Sequence, residues 1–308
     1  MVLRALFELF RRYHDNPAGT AVALSNYKTR ANSSSLNLKP HHLSGWASGN
    51  ELSDQPQRHK LARLLSSNAQ WAADVHKYEP SFFRESAKGQ APKVLWIGCA
   101  DSRVPESVIM ACKPGEIFVH RNIANQFHLD DDSGQSVLAY AVEHLGVEHV
   151  VVVGHTQCGG IAGAYDAACA HGHHGAPSKA CNSPLERWLA PLISLAAQPE
   201  FMPCITNGDS DAQPNGNGVH VDTAQNRSAL LTELSKANVR AQVENIVASE
   251  VIRGAWASVN SGILERKRVY VHGWVYDLEN GRLNDLGVSQ GPEGFVGHKF
   301  VGGLELSP

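Results

Sequence analysis

Long apolar runs are missing from this sequence. The longest strongly apolar stretch, residues 147–154, is far short of the roughly 20 residues that a bilayer-spanning helix needs, so no membrane span is expected. Cysteine is scarce: six in 308 residues do not make a disulfide scaffold. An excess of charge of one sign is missing as well. Lys and Arg number 27 against 30 Asp and Glu, a net charge of −3, and no basic stripe offers itself to nucleic acid. What is there is ordinary globular composition, 43% hydrophobic and 19% charged, on a chain long enough to bury a large core.

Residues 1–55 differ from the rest. Residues 1–50 carry six basic side chains (Arg4, Arg11, Arg12, Lys28, Arg30, Lys39) against two acidic ones (Glu8, Asp15), with Leu3, Leu6, Phe7 and Phe10 on one helical face. A basic amphipathic start followed by a Ser-rich, acid-poor stretch resembles a mitochondrial presequence. The alternative is a flexible N-terminal arm that packs on a partner subunit. The expected compartment is the mitochondrial matrix, with the cytoplasm as the alternative.

The remainder, residues 56–308, reads as one α/β domain. A helical pattern covers residues 58–84, with Leu61, Leu64, Leu65, Trp71 and Val75 at near-helical spacing. Strands are expected at 93–98 (KVLWIG), 116–120 (EIFVH), 148–154 (EHVVVVG) and 267–277 (KRVYVHGWVYD). Helices are expected at 105–112, 134–145, 185–197 and 229–256. Alternation of this kind implies a central, mostly parallel sheet flanked by helices, and the valine runs fit strands covered on both faces. Asn280-Gly281 signals a hairpin and an antiparallel edge pair. Residues 166–226, rich in Gly, Pro, Asn, Ser and His, read as a loop-rich insertion.

Two polar clusters carry the chemistry. Cys99-Ala100-Asp101-Ser102-Arg103 begins where the first strand ends, and His155-Thr156-Gln157-Cys158-Gly159-Gly160 begins where the third ends. Sites of open α/β sheets form beyond the carboxyl ends of strands. Cys, His and Cys together suit tetrahedral zinc, and a catalytic zinc keeps its fourth position open. Arg103 is spaced to hold Asp101 ionised through a bidentate pair. Gly159 and Gly160 let the backbone crowd the site at a helix start. Taken singly, a cysteine at a strand end is more often a small buried hydrophobe than a ligand. Cys112, Cys169, Cys181 and Cys204 have no partner at ligand spacing.

CADSR, followed 56 residues after its Cys by HTQCGG, resembles the β-class carbonic anhydrases, whose pattern is C-[SA]-D-S-R with a later H-x-x-C-G-G. The likeness runs from about Leu61 to Leu286 and includes PGEIFVHRNIAN and VHGWVYDLENGRL; the long region around 166–226 looks most like the fungal branch. The resemblance implies one Zn2+ per chain on Cys99, His155 and Cys158, with Asp101 and Arg103 as the catalytic dyad. It implies reversible hydration of carbon dioxide to bicarbonate and a proton, by attack of a zinc-bound hydroxide. Gln90, Phe118, Tyr140 and Gly159 match substrate-pocket positions, and Gln90 matches the subgroup with an open site. The implied assembly is a homodimer or homotetramer, without nucleic acid or membrane. Rival readings are a hydrolase of carbon disulfide or carbonyl sulfide on the same scaffold, a structural zinc module with a fourth ligand, and an inactive homologue. A nucleobase deaminase would need H-x-E with P-C-x-x-C, which the sequence lacks.

Overall fold

The computed structural model describes residues 55–172, 183–202, 224–260 and 268–297. The proposed presequence or arm therefore lies outside the described residues, as does much of the insertion. The chain divides into two compact units, residues 1–89 and 90–308.

In the first unit, helix α1 (Gln55–Tyr78) is followed by the short α2 (Phe82–Ser86). The helical pattern is interrupted at Pro80, as expected of proline, and Trp71 packs edge-on against Phe83 at 5.6 Å. Leu61, Leu64 and Leu65 are exposed in the single chain, while Val75 is buried. Helical spacing thus located the helix but did not predict burial of its leucines.

The second unit holds strands β1 (Val94–Cys99), β2 (Ile117–Asn122), β3 (His149–His155), β4 (Tyr270–Asp277) and β5 (Arg282–Asp285). Their order is β2-β1-β3-β4-β5, parallel except for the β4–β5 hairpin. This is the expected mostly parallel sheet with its antiparallel edge. Gly281 turns the hairpin at φ 71°, a left-handed conformation that glycine adopts freely. From β1 the chain moves to one side to form β2 and to the other to form β3, so the sheet's switch point lies between β1 and β3.

Six α-helices between the described strands build the flanking layers. They are α3 (Glu106–Ile109), α4 (Asp132–Ala139), α5 (Gly159–Gly172), α6 (Pro184–Ala196), α7 (Ala224–Ala248) and α8 (Glu250–Asn260). The α3 segment is shorter than expected because the chain turns at Ala111 (φ 53°). The helix expected over 134–145 is α-helical only to Ala139. It then widens into one π turn, Tyr140–Leu145, before left-handed Gly146 ends it. The single helix expected over 229–256 is two helices, because the Ser249 hydroxyl donates to the Ile246 carbonyl and accepts from the Ile252 amide.

Leu95, Ile97, Val150, Val152, Val271 and Val275 face one side of the sheet, against Val239, Val243 and Ile246 of α7. Trp96, Val151 and Val153 face the other. Helix α7 rests on β3 and β4 where both are glycine. A methyl added at Gly154 would stand 2.7 Å from Val239 Cγ2, and one at Gly273 would stand 3.1 Å from Val243 Cγ2. These two glycines, one near the end of β3 and one in the middle of β4, let the helix backbone settle close to the sheet.

Candidate metal centre

Strands β1 and β3 are neighbours in register, Gly98 opposite Val153, so the loops after Cys99 and His155 leave the sheet side by side. This places both polar clusters at the switch point, where open α/β sheets bind ligands. Cys99, His155 and Cys158 are all buried, and one donor atom from each lies within 4.8 Å of the others.

The donors fit zinc closely. Cys99 Sγ and Cys158 Sγ are 3.9 Å apart. Two sulfurs at about 2.3 Å from a tetrahedral zinc stand about 3.8 Å apart. His155 Nδ1 lies 2.8 Å from the Thr156 carbonyl, which can only accept, so Nδ1 carries the proton. Nε2 then holds a lone pair, is buried, and has no hydrogen-bond partner among the described residues. A buried acceptor left without a partner costs about 1–3 kcal/mol unless something satisfies it. Charge leads to the same conclusion. The Cys158 thiol and the His155 ring draw the Cys99 thiol down towards thiolate, while Cys99 and burial push Cys158 up. One thiolate thus opposes a second beside it, and a cation between the two sulfurs would remove that opposition. Among the described residues no further Cys, His or carboxylate joins this cluster.

Asp101 stands beside the cluster, its Oδ2 3.9 Å from His155 Nε2. Three bonds hold it there. Arg103 donates Nε to Oδ1 at 3.0 Å, Nη2 to Oδ2 at 2.7 Å and its backbone N–H to Oδ1 at 2.9 Å. The Arg103 side chain holds the Asp101 carboxyl well below the usual carboxylate range. Arg103 Nη2 also donates to the Gln157 carbonyl at 3.1 Å, which ties the first loop to the second.

Arg121 escaped the sequence reading. It lies opposite Gly98 on β2 and donates Nε to the Cys99 carbonyl at 2.8 Å and Nη2 to the Asp101 carbonyl at 2.6 Å. Its one available signal was a charge at the end of an otherwise apolar strand. Beyond it the chain makes a left-handed turn at Ala124 (φ 61°) and Asn125 (φ 47°). Buried amides secure this turn: Gln126 and Asn238 both donate to the Ala124 carbonyl, and Gln242 accepts from the Phe127 amide. Ala124 in turn sets the position of the glycines. A methyl at Gly160 would meet Ala124 Cβ at 3.0 Å, whereas one at Gly159 would meet nothing within 4 Å. Close approach is therefore the task of Gly160, and the space at Gly159 is open.

The other expected pocket residues are placed differently. Gln90 is exposed in the segment leading to β1. Phe118 lies opposite Leu95, four residues before Cys99, hence about 13 Å back along the strand from the ligand end. Tyr140 packs on Phe118 with ring centroids 5.9 Å apart and is 48% exposed. The chain thus brings Cys99, Asp101, Arg103, His155, Cys158 and Gly159 to one place and leaves Phe118 and Tyr140 at another.

A buried Cys-His-Cys donor set that could hold a metal ion, beside an arginine-held aspartate at the switch point of a parallel sheet, is the arrangement of an α/β enzyme. Comparison with known proteins gives the family. The carbonic anhydrase family model matches residues 94–283. A carbonic anhydrase of Emericella nidulans is 32% identical over 226 residues, covering 73% of this chain and 83% of the relative. One of two tetrameric β-carbonic anhydrases of Sordaria macrospora superposes with TM-score 0.59 at 31% identity, covering 75% of this chain and 99% of that one. A β-carbonic anhydrase of Aspergillus fumigatus gives TM-score 0.56 at 33% identity, covering 75% and 92%. The chain belongs to the β-class carbonic anhydrases, in their fungal branch.

Proposed function

We propose that this chain hydrates carbon dioxide reversibly with one zinc ion held by Cys99, His155 and Cys158. The observation that carries the reading is the buried, partnerless Nε2 of His155 beside two thiols. Zinc, when bound, supplies a Lewis acid that makes water a nucleophile near neutral pH. The chain's own residues do the rest. The Thr156 carbonyl fixes the His155 tautomer, so Nε2 stays available as a ligand. Asp101, with Arg103 on both its oxygens, is a carboxylate that accepts a hydrogen bond from the attacking water and turns a lone pair towards carbon dioxide. Arg103 also keeps Asp101 from closing onto the ligand set. The space beside the Gly159 backbone is open; in this reading its N–H serves a bicarbonate oxygen, and Gln90 is assigned to the substrate side.

Phe118 and Tyr140 are too far back to line the site of their own chain. In this reading they line the site of a second protomer, so the enzyme works as a homodimer or homotetramer. The Sordaria macrospora relative, described as tetrameric, supports that arrangement. The compartment we propose is the mitochondrial matrix.

The test is stopped-flow hydration with zinc analysis on the same samples. Asp101→Ala is expected to lose roughly 10²-fold or more in kcat while keeping one zinc per chain. Arg103→Ala is expected to be slow with an altered pH–rate profile, and Tyr140→Ala to raise KM. Wild-type protein that holds zinc but does not hydrate carbon dioxide would sink the reading. Loss of zinc in Asp101→Ala would sink the role given to Asp101, and an unchanged KM in Tyr140→Ala the pocket assignment.

A further inference from the structure

We infer that Glu279, in the turn of the β4–β5 hairpin, is a positioning residue for the reaction. It acts through Gln157 and Arg103 on Asp101, and the inference rests on the roles proposed above for Arg103 and Asp101.

The hairpin grips the loop between the second and third ligands at consecutive residues. The Thr156 N–H donates to the Tyr276 carbonyl at 3.0 Å, and the Thr156 hydroxyl accepts from the Leu278 amide at 3.0 Å. Gln157 Nε2 then donates to Glu279 Oε1 at 2.9 Å. The turn that presents Glu279 is itself fixed. Asp277 accepts from the Glu279 amide at 2.9 Å and from Asn280 Nδ2 at 2.6 Å, and the Gly281 amide closes onto the Asp277 carbonyl at 2.8 Å.

Gln157 occupies a left-handed conformation, φ 56°, beside the ligand Cys158. Glycine would adopt that conformation without strain. A strained non-glycine residue at a functional site persists where its surroundings hold it, and its strain points to a task. The backbone of Gln157 turns its carbonyl to Arg103 Nη2, and its exposed side chain ends on Glu279. Arg103 Nη2 is the same atom that holds Asp101 Oδ2. One continuous path therefore runs from the hairpin turn to the carboxylate beside the metal site: Glu279, Gln157, Arg103, Asp101. The bond to Glu279 ties the amide of Gln157 to a carboxyl oxygen on a fixed turn. Without it, Gln157 is free to relax its backbone, and the carbonyl that positions Arg103 moves with it.

The experiment measures kcat, KM and zinc content for Glu279→Ala, Glu279→Gln, Gln157→Ala and the Glu279→Ala/Gln157→Ala double variant, with Arg103→Ala as reference. Glu279→Ala is expected to lower kcat by roughly 3- to 10-fold at unchanged KM, a loss suited to slight misplacement of a catalytic group, with one zinc per chain. Glu279→Gln retains an acceptor oxygen and should stay within about twofold of wild type. The double variant should be no slower than Gln157→Ala alone, because both changes cut one path. Wild-type kcat in Glu279→Ala would overturn the inference. So would an equal loss in Glu279→Gln, additive losses in the double variant, or loss of zinc in Glu279→Ala. If Arg103→Ala itself turns over normally, the reading of the dyad fails; if it is slow while Glu279→Ala is not, only the present inference fails.

Discussion

Strand β3 begins and ends on a histidine, and the two ends of the strand are in opposite chemical situations. At its start, His149 Nδ1 lies 3.0 Å from His272 Nε2, and His272 Nδ1 lies 2.9 Å from the Ser289 hydroxyl. Both ring nitrogens of the buried His272 are satisfied by the protein. At its end, His155 is as deeply buried, yet its Nε2 has no hydrogen-bond partner among the described residues. Burial is the same; the difference is whether the fold supplies the last bond. Where it does, histidine is structural. Where it leaves that bond open beside two thiols, the site could hold an ion.

The comparison can be broken most forcefully at His155. His155→Ala is expected to reduce zinc from one per chain to near none and to lower hydration by roughly 10³-fold or more, since the metal supplies the nucleophile. Full zinc content in that variant would erase the contrast between the strand's two ends.

A smaller effect is expected at the other end, as a function of pH. Burial, with His149 beside it, lowers the pKa of His272 to about 4, against 6.5 for a free side chain. Between those values the unfolded chain binds a proton that the native protein refuses. Stability contributed there is present above about pH 6.5 and falls as pH drops towards 4, at up to about 1.4 kcal/mol per pH unit. Burial also lowers the pKa of His120, His128 and His149, with the same sign. Urea midpoints at pH 7 and pH 5 measure the fall, and His272→Gln should lessen it. An identical pH dependence in the variant would show that the buried pair is not its source.

The smallest effect is expected from His149→Phe, which removes one bond of the structural pair. It should cost about 1–2 kcal/mol of stability, as for a lost buried hydrogen bond, while kcat and zinc stay within about twofold of wild type. A hydration rate that collapsed in His149→Phe would mean that the two ends of β3 are coupled.

Much of this was legible in the sequence, for definable reasons. The apolar runs 93–98 and 148–154 could only be covered strands, and clusters at their ends could meet only if the strands were neighbours, as they are. The bond pattern around Asp101 was legible because Arg103 is two residues away. What escaped depended on contacts remote in sequence. Arg121 reaches the Cys99 carbonyl from 22 residues away, and Asn238 reaches the Ala124 carbonyl from 114. No local pattern marks such partners. Helix ends were misjudged where one side chain or one backbone angle decides, as at Ser249 and Ala111. The displacement of Phe118 and Tyr140 from the metal site was hidden for another reason: strand register, not residue type, sets how far back along the sheet they sit.

The grip of the hairpin on Thr156 also bears on the making of the protein. All three proposed ligands lie in the first 158 residues, but the Leu278 amide that bonds the Thr156 hydroxyl is 122 residues beyond Thr156 along the chain. At synthesis rates of about 5–20 residues per second, that separation is roughly 6–24 s. During that interval a nascent chain carries every metal ligand without the strand and turn that shape their loop. With the proposed metal, capture in the mature geometry waits for the last part of the sheet, and a chain that stopped short of β4 would hold all three proposed ligands without the finished site.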